Sequence, residues 1–129
     1  MKILIDTHIF LWFINRSPQL NSSVRELLES DCDVLLSAAS LWEIAIKVSV
    51  GKLSLKGEFK AFLTEQMKLN EIALLAVEIE HFQLVSTLPF HHRDPFDRLI
   101  IAQAMVEDVG LVSVDKVFDL YDVSLITEL

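Results

Sequence analysis

The start of the chain decides the fold, and residues 3–14 there read ILIDTHIFLWFI. The first three of these residues are branched and apolar, which is typical of a short buried strand, and Asp6 ends the run. Residues 8–14 are almost all apolar and predict a mostly buried helix, which Pro18 and the polar residues before it close. The order strand, acid, helix predicts the first half of a βαβ unit, with Asp6 at the carboxyl end of the strand.

The same order of elements recurs along the rest of the chain. The predicted strands cover residues 3–5, 34–36, 72–77, 111–114 and 123–126. The predicted helices cover residues 8–14, 22–29, 40–50, 58–69, 78–88 and 95–109. The second helix begins with Ser23 and Glu26 at capping-box spacing, and Gly51 and Gly110 are placed to end the third and the last. Short apolar strands that alternate with helices predict an α/β fold whose parallel sheet is covered on both faces.

Length and composition support a single ordinary domain. The chain has 129 residues, of which 52% are hydrophobic, and it contains only 3 Gly and 3 Pro. This composition excludes a disordered chain, a collagen-like chain and a sandwich of many short strands. We therefore expect one domain over residues 1–129, without an internal repeat or a linker.

The single cysteine and the short apolar runs bear on where the protein works. Cys32 alone forms neither an internal disulfide nor a cysteine-rich zinc site, which favours a reducing, cytoplasmic setting. Asp6 interrupts the first apolar run too early for a signal peptide, and no run approaches the roughly 18 apolar residues of a membrane span. We expect a cytoplasmic protein with no membrane partner.

The charge balance is strongly acidic, with 11 basic and 19 acidic residues and a net charge of −8. The whole excess lies in residues 65–129, which contain four basic and twelve acidic residues. This balance argues against a protein that holds nucleic acid by bulk charge alone.

Four acids are placed where they would meet at one edge of the predicted sheet. Asp6 and Asp115 each follow a strand at its carboxyl end. Glu43 begins the helix after the second strand, and Asp97 lies in the first turn of the last helix. Ligand sites of parallel sheets lie beyond the carboxyl ends of the strands, where the strand order reverses. The sequence therefore predicts one site that contains all four carboxylates.

Four converging carboxylates repel one another unless a cation lies among them. Because the ligands are hard oxygens, without further cysteines or an evident histidine pair, Mg²⁺ or Mn²⁺ is favoured over zinc. One or two such ions can orient a water molecule, help to deprotonate it and stabilise charge on a phosphodiester during in-line displacement. This set of ligands predicts metal-dependent phosphodiester hydrolysis.

Each acid also has an ordinary structural interpretation. Asp6 could cap the helix that follows it, and Glu43 could form an ion pair with Lys47 four residues later. Asp94 and Asp97 both lie at the start of one helix, where one cap is sufficient. We assign the cap to Asp94 and the metal to Asp97.

Four segments together make the chain resemble a PIN domain and, within that superfamily, the VapC toxins of bacterial toxin–antitoxin pairs. They are DTH at residues 6–8, LWEIAIK at 41–47, DPFDRLIIAQA at 94–104 and VSVDKVF at 112–118. The resemblance covers essentially the whole chain. It implies a three-layer α/β/α sandwich with a mostly parallel five-stranded sheet and a Mg²⁺- or Mn²⁺-dependent endoribonuclease activity. It also implies a homodimer and inhibition by a small cognate antitoxin.

The resemblance also assigns roles to particular residues. It places the metal-binding, catalytic acids of the family on Asp6, Glu43, Asp97 and Asp115, with Asp119 as the alternative to the last. Thr7 and Ser113 match the hydroxyl positions beside the first and fourth acids, where they would hold a carboxylate or a water. Arg98 and Arg93 flank the third acid and could contact the scissile phosphate or pair with a neighbouring acid.

Several further residues have two interpretations. His91 and His92 precede a helix cap and are interpreted as polar loop residues rather than as a catalyst or metal ligands. Four aromatic residues are predicted to pack in the core or at an interface: Phe10, Trp12, Phe13 and Trp42. Four lysines form either a strip for RNA phosphates or a solvated face: Lys47, Lys52, Lys56 and Lys60.

Two other functions fit parts of the pattern. A phosphatase of the haloacid-dehalogenase type also opens with a strand and an aspartate. That chemistry requires a second Asp two residues later, where this chain has His8. A catalytically silent PIN-like interaction module stays open, although the presence of all four acids argues against it.

Overall fold

The structure, a computed structural model, describes residues 1–127. The strands are β1 (Lys2–Ile5), β2 (Asp33–Ser37), β3 (Ile72–Leu75), β4 (Gly110–Val112) and β5 (Leu125–Ile126). The helices are α1 (Thr7–Ile14), α2 (Ser22–Glu29), α3 (Ala38–Ser49), α4 (Phe59–Leu69), α5 (Ile79–Val85) and α6 (Pro95–Glu107), and a 3-10 helix covers Lys116–Leu120. Across residues 1–127, no helix has both the length and the apolar character needed to cross a membrane.

The five strands form one sheet in the order β3-β2-β1-β4-β5, and every strand pair is parallel. Along β1, Ile3 and Ile5 face one core, which includes residues of α1 and α2, whereas Leu4 faces a second core beneath α6. All three side chains are fully buried, and burial of each stabilises the fold by about 1.5 to 3 kcal/mol. The predicted three-layer α/β/α sandwich is confirmed, with a sheet that is entirely parallel in the described part of the chain.

The ends of two helices differ from the prediction. The last helix stops before Asp108, which adopts a left-handed φ of 53°, whereas the predicted terminator Gly110 is the first residue of β4. A Cβ at Gly110 would lie 3.2 Å from Ile126 Cδ1, so a larger residue there would require the Ile126 side chain to shift by a few tenths of an ångström. The second helix is capped by Asn21, whose Oδ1 accepts the Ser23 N–H at 2.8 Å, and the predicted capping box was wrong.

The aromatic residues divide between the core and the surface. Phe10 and Phe13 are buried against the sheet, and Trp12 is partly buried beside them. Trp42 is 62% exposed on α3, with its ring edge-on to that of Phe96 at a centroid distance of 5.2 Å. Core packing is confirmed for the two phenylalanines. Trp42 lies outside the core, and the alternative of an interface stays a prediction for it.

The carboxyl ends of the three central strands lie side by side at one edge of the sheet. Asp6 follows β1, Ser37 ends β2 and Ser113 follows β4. Asp6 extends the pairing of β1 with β4, since its N–H donates to the Val112 carbonyl at 3.1 Å. Because α1 and α3 begin directly at this edge, their first turns point polar side chains into the same space.

Candidate metal centre

Asp6 is both the cap of α1 and a member of the acid cluster. Its Oδ1 accepts the Ile9 N–H at 2.8 Å, and the residue is only 4% exposed. Burial raises the pKa of the Asp6 carboxyl, and the nearby Glu43 carboxylate raises it further. Hydrogen bonds from Ser113 and Ile9, together with the charge of His8, act on this pKa in the opposite direction. Because a carboxylate has two oxygens, capping the helix leaves Asp6 able to bind a cation.

Glu43 lies on α3, and a chain of hydroxyl groups connects it to α1. Thr7 Oγ1 lies 2.7 Å from Glu43 Oε1 and 2.9 Å from Ser40 Oγ. A carboxylate only accepts hydrogen bonds, so Thr7 donates its single proton to Glu43 and accepts one from Ser40. The second carboxylate oxygen, Oε2, lies 3.1 Å from Lys47 Nζ. Glu43 therefore forms the ion pair suggested by its spacing to Lys47 and also belongs to the acid cluster.

Asp94 and Asp97 divide two tasks at the start of α6. The Asp94 carboxylate accepts the Phe96 N–H at 2.8 Å and the Asp97 N–H at 3.2 Å, which makes it the helix cap. The Asp97 carboxylate is left to face the cluster. Burial, followed by the charge of Asp94, raises the pKa of Asp97 to about 7. The charges of Asp6 and Glu43 also raise this pKa, which means that the three acids act on one another through space.

Asp115 reaches the cluster from the other side, through a histidine. Its Oδ1 accepts the Val117 N–H at 3.0 Å and caps the 3-10 helix, while its Oδ2 lies 2.8 Å from His92 Nε2. The same His92 nitrogen lies 3.2 Å from Asp97 Oδ2. One potential ligand atom from each of these three residues lies within 4.8 Å of the others. Asp119, the alternative fourth acid, is exposed on the 3-10 helix.

Ser113 connects the first acid to the fourth. Its buried Oγ accepts the Asp115 N–H at 3.0 Å, and its hydroxyl donates to the Asp6 side chain. In the structure, Thr7 and Ser113 thus each hold one carboxylate of the cluster, at the two hydroxyl positions that the motifs indicated. Each of the four acids therefore contacts at least one hydrogen-bond donor of the protein, which for Asp97 is the His92 ring.

Arg98 points away from the acid cluster and has a structural role in place of the suggested phosphate contact. Its guanidinium donates to four backbone carbonyls at 2.9 to 3.5 Å, those of Val85, Leu88, Pro89 and His92. The residue is only 5% exposed, and its guanidinium carbon lies 4.1 Å from the centre of the Phe90 ring. These contacts occupy both terminal nitrogens, so Arg98 holds the segment between α5 and α6 in place.

The arrangement of charge fits a divalent cation. Asp6, Glu43, Asp97 and Asp115 bring four carboxylates to one edge, and Lys47 is the cation paired with Glu43. The raised pKa of Asp97 reflects its burial first and then the negative charges of Asp94, Asp6 and Glu43. Because the ligands are carboxylate oxygens, the site suits the hard cations Mg²⁺ and Mn²⁺. His92 is the one residue of the cluster that the motifs did not single out for the site.

Together, the fold and the site define a three-layer α/β protein with a carboxylate centre at the carboxyl edge of a parallel sheet. A family model for the PIN domain matches residues 3–123. The chain belongs to the PIN domain family, which confirms the resemblance inferred from its motifs.

Several solved structures share this fold. VapBC2 from Rickettsia felis, bound to a DNA fragment from its promoter, has a TM-score of 0.72 and 20% identity over 97% of both chains. FitAcB from Neisseria gonorrhoeae has a TM-score of 0.68 and 24% identity over 95% of both chains. A toxin–antitoxin complex from Klebsiella pneumoniae has a TM-score of 0.65 and 13% identity over 97% of this chain and 96% of that one. A comparison with curated protein sequences finds no significant match.

Proposed function

We propose that this protein is a Mg²⁺- or Mn²⁺-dependent endoribonuclease and the toxin of a toxin–antitoxin pair. The observation that carries the proposal is the convergence of Asp6, Glu43 and Asp97 at one edge of the sheet. Burial raises the pKa of Asp97 to about 7, with further contributions from the charges of Asp94, Asp6 and Glu43. A protein gains no stability from crowding buried acids, so the arrangement is best explained by a cation that binds them.

The four acids have separate tasks in this proposal. Asp6 and Asp97 would be the central ligands of the cation, because they are the acids whose pKa burial raises. Glu43 and Asp115 would complete the site from its two sides, each oriented by a fixed hydrogen bond. When bound, the cation supplies charge that activates water and stabilises the phosphodiester during hydrolysis. Thr7 and Ser113 keep the carboxylate oxygens aimed into the site.

The RNA substrate would approach the site over local basic groups, because the net charge of −8 gives no general attraction. Lys47 is one such group at the site, since it pairs with Glu43 and its side chain is still 34% exposed. Lys52, Lys56 and Lys60 are exposed farther along the chain and would add phosphate contacts. We expect RNA binding to weaken as the salt concentration rises. The dependence should be shallow, because few phosphates are contacted.

The antitoxin partner and the homodimer belong to the same proposal. The fold matches VapBC2 and a toxin–antitoxin complex over 97% of this chain, which supports a partner of the antitoxin type. The acidic half of the chain also carries exposed apolar residues, among them Ile79 and Phe82 on α5, beside the exposed Glu80. A small basic antitoxin segment would match this mixture of apolar and acidic surface. We place the complex in the cytoplasm.

The decisive experiment is RNA cleavage by the purified protein with Mn²⁺, compared with EDTA and with Asp6→Asn and Asp97→Asn. We expect cleavage with Mn²⁺ only and a loss of at least 100-fold in both variants. Asp33→Asn is the matched control, because Asp33 is exposed at the opposite, amino end of the sheet. Cleavage that survives EDTA and both substitutions would overturn the metal mechanism, and no cleavage of any RNA would favour a silent interaction module.

The toxin role needs a test of its own. Expression of the protein alone should arrest growth, Asp97→Asn should abolish the arrest, and co-expression of the cognate antitoxin should relieve it. If expression is harmless while the purified protein cleaves RNA, the nuclease assignment stands and the toxin assignment fails. Light scattering of the free protein measures whether it is a dimer.

A further inference from the structure

His92 contacts two acids of the centre with one nitrogen. Its Nε2 lies 2.8 Å from Asp115 Oδ2 and 3.2 Å from Asp97 Oδ2. The two carboxylates come from different elements, since Asp97 lies on α6 and Asp115 follows β4. The imidazole is therefore the direct connection between these elements at the site, and its side chain is only 13% exposed.

A backbone group decides which nitrogen of this ring carries the proton. The Asp94 N–H donates to His92 Nδ1 at 3.1 Å. A backbone N–H cannot accept, so Nδ1 must present its lone pair and the ring proton lies on Nε2. That Nε2–H group points at the two carboxylates. A nitrogen that carries a proton has no lone pair for a metal, so in this tautomer His92 is a hydrogen-bond donor to the ligands and is not a ligand itself.

The ring is also held by contacts that do not involve the carboxylates. The backbone N–H of His92 donates to the Tyr121 hydroxyl at 2.9 Å, and that hydroxyl donates to the Pro89 carbonyl at 2.7 Å. The imidazole packs against the Phe118 ring at a centroid distance of 5.4 Å. These contacts fix the position of the histidine without the carboxylates. His92 can therefore determine where the two carboxylates lie.

A second histidine of the chain is held in the same way and serves as an internal comparison. His81 Nδ1 accepts the Glu78 N–H at 2.9 Å, and its Nε2 lies 2.9 Å from Glu107 Oε2. The residue is buried where α5 packs on α6, and this contact involves one carboxylate only. What distinguishes His92 is that its one donor is shared by two acids of the proposed metal centre.

We propose that His92 is a positioning residue that holds Asp97 and Asp115 at a fixed separation and so prepares the centre for a divalent cation. This inference rests on the proposed function for the identity of the cation, and it adds a residue that is neither a ligand nor a catalytic group. Donors behind the ligands of a metal site orient them, and removal of one typically weakens metal binding about 10- to 100-fold.

Two substitutions separate the two ends of the imidazole. In His92→Asn the short amide can still accept the Asp94 N–H, but it no longer reaches Asp97 and Asp115. In His92→Gln the longer amide can reach the carboxylates with its NH₂ group, but it gives up the acceptor next to the backbone. His91→Asn is the matched control, because His91 is exposed and its ring packs on Tyr121 at 5.1 Å.

Calorimetric titration of each variant with Mn²⁺ measures the effect without any substrate. We expect His92→Asn to weaken Mn²⁺ binding about 10- to 100-fold, His92→Gln to stay within a few-fold of the wild type, and His91→Asn to be unchanged. Urea unfolding of the same variants tests whether each is folded. Unchanged Mn²⁺ affinity in folded His92→Asn would overturn the proposal, as would a larger loss in His92→Gln than in His92→Asn.

Two spectra decide between a donor and a ligand. Pulsed EPR of Mn²⁺ bound to protein with ¹⁵N-labelled histidine should reveal no directly bonded nitrogen from His92; a directly bonded signal that disappears in His92→Asn would make the residue a ligand and overturn the proposal. In the metal-free protein at pH 8, ¹⁵N NMR should find the His92 proton on Nε2, and a proton on Nδ1 would overturn it too. If the wild type binds no Mn²⁺, the proposed function fails and so does the role of His92 toward a cation, whereas the NMR spectrum still decides the hydrogen bonds.

Discussion

The Thr7 hydroxyl and the Glu43 carboxylate, 36 residues apart in the chain, lie 2.7 Å from each other in a buried contact between α1 and α3. This contact joins two helices that begin at neighbouring strands, and it fixes one oxygen of an acid of the proposed centre. The other oxygen of Glu43 is held by Lys47 at 3.1 Å. The orientation of Glu43 therefore depends on a residue that is itself placed by β1.

The first prediction concerns this contact. Thr7→Val keeps the shape of the side chain but removes the donor, so it should lower the free energy of unfolding by about 1 to 3 kcal/mol and slow Mn²⁺-dependent cleavage. Urea unfolding and RNA cleavage measure the two effects. Thr7→Ser keeps the hydroxyl and should retain most of both, and Thr64→Val, at an exposed position of α4, should change neither. Equal behaviour of Thr7→Val and Thr64→Val would refute the contribution of the contact.

The second prediction concerns the metal-free protein and pH. The folded protein raises the pKa of Asp97 from 3.8 to about 7, so between these values the folded state binds a proton that the unfolded chain has released. Stability must then fall as pH rises from about 4 to 7, by up to about 4 kcal/mol for this residue. Urea unfolding in EDTA across this range measures the slope. Asp97→Asn should flatten this pH dependence and stabilise the protein at pH 8, whereas Asp33→Asn should do neither. If the stability of the wild type rises from pH 4 to pH 7, the prediction is contradicted.

The third prediction concerns the cation. A divalent ion that binds only the folded protein should raise its stability by about 2.7 kcal/mol at a free concentration of 100 times the dissociation constant. The stabilisation should be larger at pH 8 than at pH 6, because protons compete with the cation for Asp97. Thermal unfolding with Mn²⁺ and with EDTA measures both. Asp97→Asn should remove most of the effect, and an equal shift in that variant would place the cation elsewhere.

The fourth prediction concerns Arg98. Arg98→Met leaves several buried carbonyls without their donor and should lower the free energy of unfolding by about 2 to 4 kcal/mol. Arg93→Met, at an exposed position, should have little effect. Urea unfolding measures the loss, and RNA binding below the unfolding transition separates a structural role from a phosphate contact. If the Arg98→Met protein is stable but binds RNA poorly, the interpretation of Arg98 as a phosphate contact is supported instead.

The parts of the fold and site that depend on neighbouring residues could be predicted from the sequence. The branched apolar run before Asp6 and the Asp94-Pro95 start of α6 are local signals, and both lie where they were expected. The separation of Asp94 as a cap from Asp97 as a free carboxylate follows from the geometry of one helical turn. The alternatives for Glu43 could not be resolved in this way, because its two oxygens serve two partners.

The parts that depend on distant contacts could not be predicted. His92 looked like a loop residue because nothing near it in the sequence indicates that Asp115 lies next to its ring. The sequence suggests a phosphate or a neighbouring acid as the partner of Arg98, because its actual partners are backbone carbonyls, which side-chain patterns do not reveal. The cap of α2 could not be predicted because Asn21 precedes two serines that could also cap the helix. In the structure the cap is Asn21.

The position of β4 beside β1 has a consequence for synthesis. Asp6 emerges from the ribosome early, but Asp115 follows a strand that pairs with β1 only after more than a hundred further residues have been made. Ser113, which orients Asp6, arrives equally late. The acids of the proposed centre therefore come together only after β4 has been made and has paired with β1.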